Sequence, residues 1–233
     1  MKIAAIADLH CRTNSRGQIR PLLAGVAEAD ILLLAGDLTD TGLPAEMEVL
    51  LHELDDLDLS IVAVLGNHDH ESEEQELLAE LLTDAGILLL DGTVCEIGDV
   101  GIVGTKGFCG GFDELFIQPF GERALKRFIQ VSLEEAVRLE NALVKLDCPH
   151  RVALMHYAPI KETVMGEPPE LFPFLGSSGL ANVLDRNPVD VAFHGHAHYG
   201  SPKGTTGGGI PVHNVSRFVR ERAGLTPYCL FEL

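Results

Sequence analysis

Basic residues are scarce in this sequence of 233 residues. It has 17 lysines and arginines against 35 aspartates and glutamates, which gives a formal net charge of −18. Proteins that bind long nucleic acids gain much of their affinity from lysine and arginine at the phosphates. The same shortage disfavours an anionic membrane surface. We therefore expect neither long nucleic acid nor a membrane as a partner, while clustered carboxylates remain available to bind cations.

Cysteine pairs and long apolar runs are also missing. The five cysteines include no C-x-x-C pair, which disfavours a zinc knuckle, and their odd number disfavours a disulfide framework. No stretch approaches the ~18 uninterrupted apolar residues of a membrane helix. The apolar start at 3–7 ends at Asp8, too early for a signal peptide. These absences predict a soluble protein with reduced thiols in the cytoplasm.

The composition that is present suits one folded domain. Hydrophobic residues make up 46% of the chain and charged residues 22%, and the mean hydropathy is +0.16. Such a chain can bury a substantial core, and a disorder-type composition is excluded. No internal repeat, low-complexity tract or linker divides it. We expect a single domain over residues 1–233. The sequence carries no signal for an oligomeric state.

Short apolar runs alternate with helical patterns in the first part of the chain. The runs are apolar on both faces, as in strands that are covered on both sides, and the connecting helices permit right-handed crossovers. This part predicts a doubly wound α/β start. The expected strands cover 3–7, 31–35 and 61–65, and the expected helices lie near 17–29, 43–57 and 72–84.

From Ile87 onward the pattern changes to short strands separated by Gly and Asp turns. Turns of this kind favour antiparallel pairing and a second sheet. The sequence therefore predicts a mixed α/β fold that differs from a plain Rossmann domain. Helices are expected near 132–146 and 179–185, and strands at 151–155, 189–193, 210–215 and 228–233.

Two stretches, 107–121 and 159–179, are rich in glycine and proline and are expected to be irregular. The first carries phenylalanine at positions 108, 112, 116 and 120. We favour core packing for these four rings. An active-site rim or a subunit contact is the alternative.

Polar side chains that can bind metals follow five of the apolar runs. Ligands in open α/β sheets gather outside the carboxyl ends of strands, so residues distant in sequence can converge there. A surface-turn role at every one of these positions would need the same coincidence five times, so we favour a metal site. The residues that follow the runs are Asp8 and His10, Asp37, Asn67, His156, and His194 with His196.

The order of these groups resembles the signature of the calcineurin-like metallophosphoesterase superfamily. That signature consists of D-x-H, G-D, G-N-H-D/E, a single H, and G-H-x-H. The matching residues are Asp8-Leu9-His10, Gly36-Asp37, Gly66-Asn67-His68-Asp69, His156, and Gly195 with its flanking His194 and His196. The resemblance implies a four-layer α-β-β-α sandwich of two mixed β-sheets flanked by helices, which agrees with the mixed pattern of strands and helices.

The resemblance also implies a site for two metal ions. One ion would be held by Asp8, His10, Asp37 and His196, and the other by Asp37, Asn67, His156 and His194. A bridging carboxylate offsets the repulsion between two cations ~3.5–4 Å apart, and imidazoles favour transition metals such as Mn, Fe or Zn over Mg²⁺ or Ca²⁺. Attack by a metal-bound hydroxide would then hydrolyse a phosphate ester.

His68 resembles the catalytic histidine of this family, which stabilises phosphate charge or protonates the leaving oxygen. Asp40 matches an acid that orients this histidine in related phosphatases. Capping of the helix expected after Asp40 explains it equally well. The role of Asp69 is ambiguous in the same way.

Polar residues near the motifs have weaker assignments. Arg12 and Asn14 follow the first motif closely enough to reach a substrate phosphate, although a solvated loop is the favoured interpretation. His70 and His198 are interpreted as solvated residues at the rim. Still weaker candidates for a phosphate contact are Lys106, Lys161 and Arg217.

The leading hypothesis is a cytoplasmic, binuclear metal-dependent phosphoesterase that acts on a small phosphorylated substrate, with a phosphodiester preferred. A phosphomonoesterase or a nuclease at the same site is an alternative. A basic groove would favour the nuclease, and the sequence shows no sign of one. A non-catalytic interaction scaffold on this fold is the alternative from another class. The presence of His68 and of every motif residue weakens it. We expect loops 107–121 and 159–179 to set substrate choice.

Overall fold

Five strands form the first β-sheet of the computed structural model, which describes residues 1–233. Four of them run parallel in chain order, as the alternation of strands and helices predicts. The fifth comes from the end of the chain and pairs antiparallel with the first. The strands are β1 (Lys2–Ile6), β2 (Ile31–Ala35), β3 (Ser60–Val64), β4 (Leu88–Leu89) and β11 (Cys229–Glu232), in the order β11-β1-β2-β3-β4.

Six strands form the second sheet, which mixes both directions. An antiparallel hairpin lies at one edge, four strands in the middle run parallel, and the last strand is antiparallel again. The strands are β5 (Thr93–Ile97), β6 (Val100–Thr105), β7 (His150–Met155), β8 (Val191–His194), β9 (Lys203–Thr205) and β10 (Pro211–Asn214), in the order β5-β6-β7-β8-β10-β9. The antiparallel pairing expected from Ile87 onward is therefore limited to the edges.

Helices cover the outer faces of both sheets. The α-helices of the chain are α1 (Pro44–Leu54), α2 (Gln75–Asp84), α3 (Arg123–Leu143), α4 (Phe172–Leu175), α5 (Ser178–Leu184) and α6 (Arg217–Arg222). Helices α1 and α2 pack on the first sheet, and α3 and α5 pack on the second. The four-layer α-β-β-α sandwich of two mixed sheets is confirmed.

Strand β1 shows why the strands read as apolar on both faces. Ala4 and Ile6 belong to the core beneath α1 and α2, whereas Ile3 and Ala5 belong to the core between the two sheets. Side chains alternate along a strand, so both sets are buried at once. The doubly wound expectation is corrected here, because a second sheet rather than helices covers the inner face.

The helix expected near 17–29 is wrong. The structure has two single turns of 3-10 helix instead, Arg20–Leu23 and Val26–Glu28. Gly25 separates them with φ at 93°, in the left-handed region that breaks a right-handed helix. A Cβ atom at Gly25 would also lie 2.5 Å from the hydroxyl oxygen of Tyr228. A close approach to the far end of the chain therefore decides the local conformation.

Helix α3 begins earlier than the expected 132–146. Its first turns at Arg123 are mostly exposed, and burial becomes regular only from Ile129 onward. Its buried positions then recur three or four residues apart, as on one face of a helix. The weak apolar signal of the first turns explains the difference.

The four phenylalanines of loop 107–121 do not share one environment. Phe112 is buried in a small cluster with Leu175, which confirms core packing for this ring. Phe108 lies between Phe128 and Tyr157, with ring centroids 5.2 and 5.8 Å away. Phe120 is 75% exposed, so core packing is wrong there.

All five cysteines are unpaired, as their number and spacing predict. None of the helices combines the length and the apolar character needed to cross a bilayer.

Candidate active site

Side chains from both sheets converge where the strands end. Asp8 follows β1, Asp37 follows β2, Asn67 follows β3, His156 follows β7 and His196 follows β8. The Nε2 atom of His156 lies 3.3 Å from Oδ1 of Asp37, so side chains of the two sheets meet at this point. This convergence at the carboxyl ends of strands agrees with the sequence prediction.

Four residues at this point hold a left-handed backbone. The φ angle is 59° at Asp8, 44° at His10, 50° at Asp37 and 69° at His196. Such a conformation costs a residue with a Cβ atom on the order of 1–3 kcal/mol. Only two other non-glycine residues of the chain have a positive φ. The strain is concentrated at the converging strand ends, which is typical of a functional site.

Ligand atoms of Asp8, His10, Asp37 and His198 all lie within 4.8 Å of one another, and we call these residues the first group. Nε2 of His10 is 3.8 Å from Oδ2 of Asp37 and 3.5 Å from Nε2 of His198. Nε2 of His198 is 3.4 Å from Oδ1 of Asp8. Two carboxylates and two imidazoles at this spacing can hold one cation.

Asp37, His156 and His196 also lie within 4.8 Å of one another and form the second group. The amide oxygen of Asn67 is 2.9 Å from Nε2 of His156 and adds a possible oxygen ligand. Asp37 is shared by both groups. If each group held a cation, the carboxylate of Asp37 could contact both.

The expected grouping of the last histidines is corrected by the structure. His196 lies in the second group rather than with Asp8 and His10, and His198 takes that place in the first group. His194 is in neither group. Its Nε2 atom is 2.8 Å from Oγ1 of Thr163, and its Nδ1 atom is 2.8 Å from the carbonyl oxygen of Gly195.

Strand alternation explains the position of His194. Phe193 faces the core between the sheets, so the next side chain points to the opposite side of β8. The correct assignment has a plain sequence signal, because residues 195–198 read G-H-A-H. In the G-H-x-H motif both histidines follow the glycine, so His196 and His198 match it and His194, which precedes Gly195, does not. The structure thus places His198, interpreted from sequence as a solvated rim residue, among the side chains of the first group.

His68 lies beside the first group, in the wall of a cleft. Its ring centroid is 4.5 Å from that of His10, and the two rings are perpendicular. Its Nδ1 atom is 2.6 Å from the backbone carbonyl oxygen of Asp40. Its backbone N–H donates to Oδ1 of Asp37 at 2.9 Å. The main chain of Asp40, rather than its carboxylate, therefore orients this histidine.

The carboxylate of Asp40 has other partners. It accepts from Nε and Nη2 of Arg12 at 2.8 and 3.3 Å, and its Oδ1 atom lies 3.6 Å from Nδ1 of His10. It does not cap α1, where the side chain of Glu46 accepts from the backbone of Thr41. The structure supports neither an Asp40 carboxylate bound to His68 nor a helix cap.

Asp69 ties together the loops that carry Asp37 and Asn67. Its fully buried carboxylate accepts from the backbone N–H groups of Leu38, Thr39 and Gly66 at 2.7–3.2 Å. It also accepts from the hydroxyl of Thr39 at 2.6 Å. Burial and the charge of Asp37 raise the pKa of Asp69 to about 6. Its role is to position the site loops, which resolves the ambiguity left by the sequence.

The electrostatics of the two groups reflect buried carboxylates among imidazoles. Burial acts to raise the pKa of Asp8, but the hydrogen bond and charge of His198 outweigh it and lower that pKa. Burial acts to lower the pKa of His156, but Asp37 raises it to about 9. Burial, reinforced by His156, lowers the pKa of His196 to about 3. Buried carboxylates need positively charged partners. A ring with a pKa as low as that of His196 stays neutral and cannot provide that charge.

The donor set fits transition-metal ions. Nδ1 of His156 is 2.8 Å from the carbonyl oxygen of Ala35, and Nε2 of His196 is 3.2 Å from that of Phe174. Each contact leaves the other ring nitrogen available for a metal. Histidine ligands in metal sites are commonly held in this way. Carboxylates, imidazoles and the Asn67 oxygen together suit Mn, Fe or Zn.

A cleft of about 590 Å³ opens beside the first group. Arg12 and Asn14, two candidates for phosphate contact, lie in its wall, as does Arg217. Lys106 and Lys161 do not line this cleft. A larger cavity of about 680 Å³ lies between α1 and the start of β3, but none of the motif residues lines it. The smaller cleft is therefore the candidate substrate site. Its lining residues are Leu9, His10, Arg12, Asn14, Ser15, Gln18, Ile19, Leu22, Asp40, His68, His198, Arg217 and Phe218.

A family model described as calcineurin-like phosphoesterase matches residues 1–200. The chain belongs to the calcineurin-like phosphoesterase family. Proteins of this family are phosphoesterases, hydrolases of phosphate ester bonds, and the family implies divalent metal ions. The first and second groups contain the histidine and aspartate ligands that could bind such ions.

Two curated relatives are probable cyclic nucleotide phosphodiesterases. That of Rhodococcus erythropolis is 24% identical over 223 residues, which cover 92% of this chain and 67% of that protein. That of Synechococcus sp. is 33% identical over 88 residues, which cover 33% of this chain and 34% of that protein. The stretch shared with the Synechococcus protein thus spans only about a third of either chain.

Solved structures share the fold at low identity. The phosphopantetheinyl hydrolase of Mycobacterium tuberculosis has a TM-score of 0.69 at 18% identity, covering 99% of this chain and 95% of that one. A protein of Thermus thermophilus has a TM-score of 0.60 at 16% identity, covering 94% of this chain and 90% of that one. At such identities the likeness shows the fold alone.

Proposed function

We propose that this protein hydrolyses a small phosphodiester at a binuclear metal site formed by the first and second groups. The observation that carries this proposal is Asp37, which lies within ligand distance of both groups. A bridging carboxylate of this kind is the usual centre of a two-metal hydrolase. We assign Asp8, His10, Asp37 and His198 to one ion and Asp37, Asn67, His156 and His196 to the other.

When bound, the two ions supply positive charge for the phosphoryl oxygens and activate water for attack on phosphorus. The chain itself holds the ligands rigidly, since Asp8 and Asp37 are buried and Asp69 ties the loops together. The contact of His68 Nδ1 with the Asp40 carbonyl leaves its Nε2 atom for the substrate. With Nδ1–H donating to that carbonyl, Nε2 carries a proton only in the imidazolium form of His68, and that form would donate the proton to the leaving oxygen or a hydrogen bond to the phosphate.

The shape of the cleft supports a diester over a monoester. Beyond the first group the wall of the cleft continues to Asn14, Gln18 and Leu22, which leaves room for an alcohol substituent on the phosphate. Arg12 is engaged by Asp40, but the nearest carboxylate to Arg217 is that of Glu221, 4.0 Å away. Nε of Arg217 donates to the backbone carbonyl of Asp8 at 3.0 Å, so its Nη atoms are the ones available to bind a phosphate oxygen.

A small substrate is part of the proposal. The net charge of −18 argues against long nucleic acid, and so against a nuclease. Both curated relatives are probable cyclic nucleotide phosphodiesterases, so cyclic nucleotides are the first natural substrates to test. We also propose a cytoplasmic location on the strength of the five unpaired cysteines.

The test is an activity profile of protein reconstituted separately with Mn, Fe or Zn. Bis(4-nitrophenyl) phosphate and 4-nitrophenyl phosphate compare a diester with a monoester at the same leaving group, and cyclic nucleotides extend the series. We expect the diester to have the higher kcat/KM and Asp37→Ala to be inactive, with the exposed Asp84→Ala as control. A monoester preference of about tenfold or more would make phosphomonoesterase the better assignment. Turnover by rigorously metal-free protein would contradict the metal site.

A further inference from the structure

The second ring nitrogen of His10 lacks a partner. Nδ1 of this ring is one of three buried side-chain polar atoms in the protein without a hydrogen bond. By contrast, Nδ1 of His156 and Nε2 of His196 each have a backbone carbonyl oxygen within 3.2 Å. Buried polar atoms nearly always have a partner, so the exception at a candidate metal ligand requires one. Oδ1 of Asp40, 3.6 Å away, lies just beyond hydrogen-bond distance.

Asp40 is itself held on its other side. Arg12 donates from Nε to Oδ2 at 2.8 Å and from Nη2 to Oδ1 at 3.3 Å, a two-point contact with the carboxylate. The side chains of Arg12, Asp40 and His10 thus form a row that ends at the first group. Paired carboxylates and guanidinium groups of this geometry have a fixed orientation.

The main chain below this row is also tied together. The backbone N–H of His10 donates to the carbonyl of Asp37, that of Cys11 to Leu38, and that of Asp40 to Cys11, each at 3.0 Å. The segment after β1 and the segment after β2 therefore move as one unit. The distance between Asp40 and His10 is set by this backbone pairing rather than by flexible side chains.

We propose that Asp40, held by Arg12, positions His10 as a ligand of the first metal ion and so acts on metal affinity rather than on His68. The carboxylate accepts the Nδ1–H of His10, which leaves Nε2 unprotonated and facing the first group. A carboxylate behind a histidine ligand fixes the ring and makes the ligand nitrogen more basic. This inference rests on the proposed metal site and adds two residues that do not themselves bind the metal.

One other arrangement is excluded by the contacts. Ligand atoms of His10, Asp40 and His68 also lie within 4.8 Å of one another. However, Nδ1 of His68 is 2.6 Å from the Asp40 carbonyl, and the Asp40 carboxylate is engaged by Arg12. Nδ1 of His68 and the carboxylate of Asp40 are therefore already in use, so we do not assign a third metal to this trio.

The experiment measures metal affinity without turnover. Metal-free full-length protein is titrated with Zn²⁺ against a chromophoric chelator, and Co²⁺ absorption reports the ligand geometry. We expect Asp40→Ala to weaken one of two sites about 10–100-fold, with the other site within about twofold. Arg12→Gln should weaken the same site less, and the double variant should be no worse than Asp40→Ala because both act through one carboxylate. Asp40→Glu should restore part of the affinity.

Matched variants decide between the outcomes. Asp56→Asn, which breaks the exposed ion pair with Arg20, should leave both metal affinities unchanged. His68→Ala should also retain both metals.

Three outcomes would contradict the inference. If Asp40→Ala kept both wild-type metal affinities and lost only kcat, the inference would be overturned, and Asp40 would be assigned to orient His68. A third metal bound by wild-type protein and lost in Asp40→Ala would overturn it too. Wild-type protein that binds no metal would overturn the site and this inference together. If Asp40→Ala fails to fold, the same metal titrations are made on Asp40→Asn and Arg12→Gln, whose folding is checked by circular dichroism.

Discussion

His68 and the residues around it separate metal binding from catalysis at the scale of single residues. His68 reaches the cleft and belongs to neither ligand group. We predict that His68→Ala keeps near-normal metal content but loses about 10²–10⁴-fold in kcat, the usual contribution of positioned proton transfer. Metal analysis and kinetics on one preparation check this, with the exposed His52→Ala as control. An unchanged rate would remove His68 from the mechanism.

His194 and His198 offer a matched pair of histidines only four positions apart. His198 contacts Asp8 and His10, whereas His194 contacts Thr163 outside both groups. We predict that His198→Ala releases or weakens one metal ion, while His194→Gln retains two. Metal stoichiometry after dialysis distinguishes them. If His194→Gln lost a metal ion and His198→Ala lost none, the sequence-based assignment of His194 as a metal ligand would be correct.

His194 also makes stability depend on pH. Burial lowers its pKa from 6.5 to about 4, so the folded protein keeps the ring neutral while the unfolded chain takes up a proton. The contribution of His194 to the free energy of unfolding is therefore complete above pH 6.5. It is lost as pH falls toward 4, because the unfolded chain then binds a proton that the folded protein does not. We predict that His194 contributes up to about 3 kcal/mol of such a loss. Urea unfolding of metal-free wild-type protein and His194→Gln should show a shallower pH dependence in the variant, and equal slopes would contradict it.

At the scale of elements, the loops after β2 and β3 depend on one buried carboxylate. Asp69 accepts four hydrogen bonds from these loops. Its removal leaves buried donors without partners, at about 1–3 kcal/mol for each uncompensated group. We predict that Asp69→Ala lowers the free energy of unfolding by about 3 kcal/mol or more. Urea denaturation of metal-free protein measures this, with Asp84→Ala at the exposed end of α2 as the control. A loss below that of the control would contradict the role of Asp69.

At the scale of the whole molecule, the net charge of −18 acts on any anionic substrate. A phosphomonoester carries up to two negative charges near neutral pH and a diester one, so the acidic surface repels the monoester more. Salt screens this repulsion over a Debye length of ~8 Å at physiological ionic strength. We predict that the diester preference in kcat/KM narrows as NaCl is raised, measured at fixed metal and leaving group. A preference that widens with salt would show that cations near the site dominate.

Much of the site could be predicted from sequence because its signals are local. Asp8, His10, Asp37, Asn67 and His156 each follow a buried apolar strand, and a strand end is a property of the chain near it. The layers were predictable for a similar reason, since strands that are apolar on both faces must be covered twice. The motif order then indicated the family, which the match over residues 1–200 confirms.

Contacts between distant segments decided what local signals could not. Only the packing of the second sheet on the first shows what covers the inner face of β1. The break at Gly25 depends on Tyr228, which lies near the other end of the chain. The Asp40 carboxylate pairs with Arg12 and approaches His10 because backbone hydrogen bonds bring two loops together. Strand ends and alternation are encoded by neighbours in sequence, whereas the partners of a side chain depend on which segments fold against it.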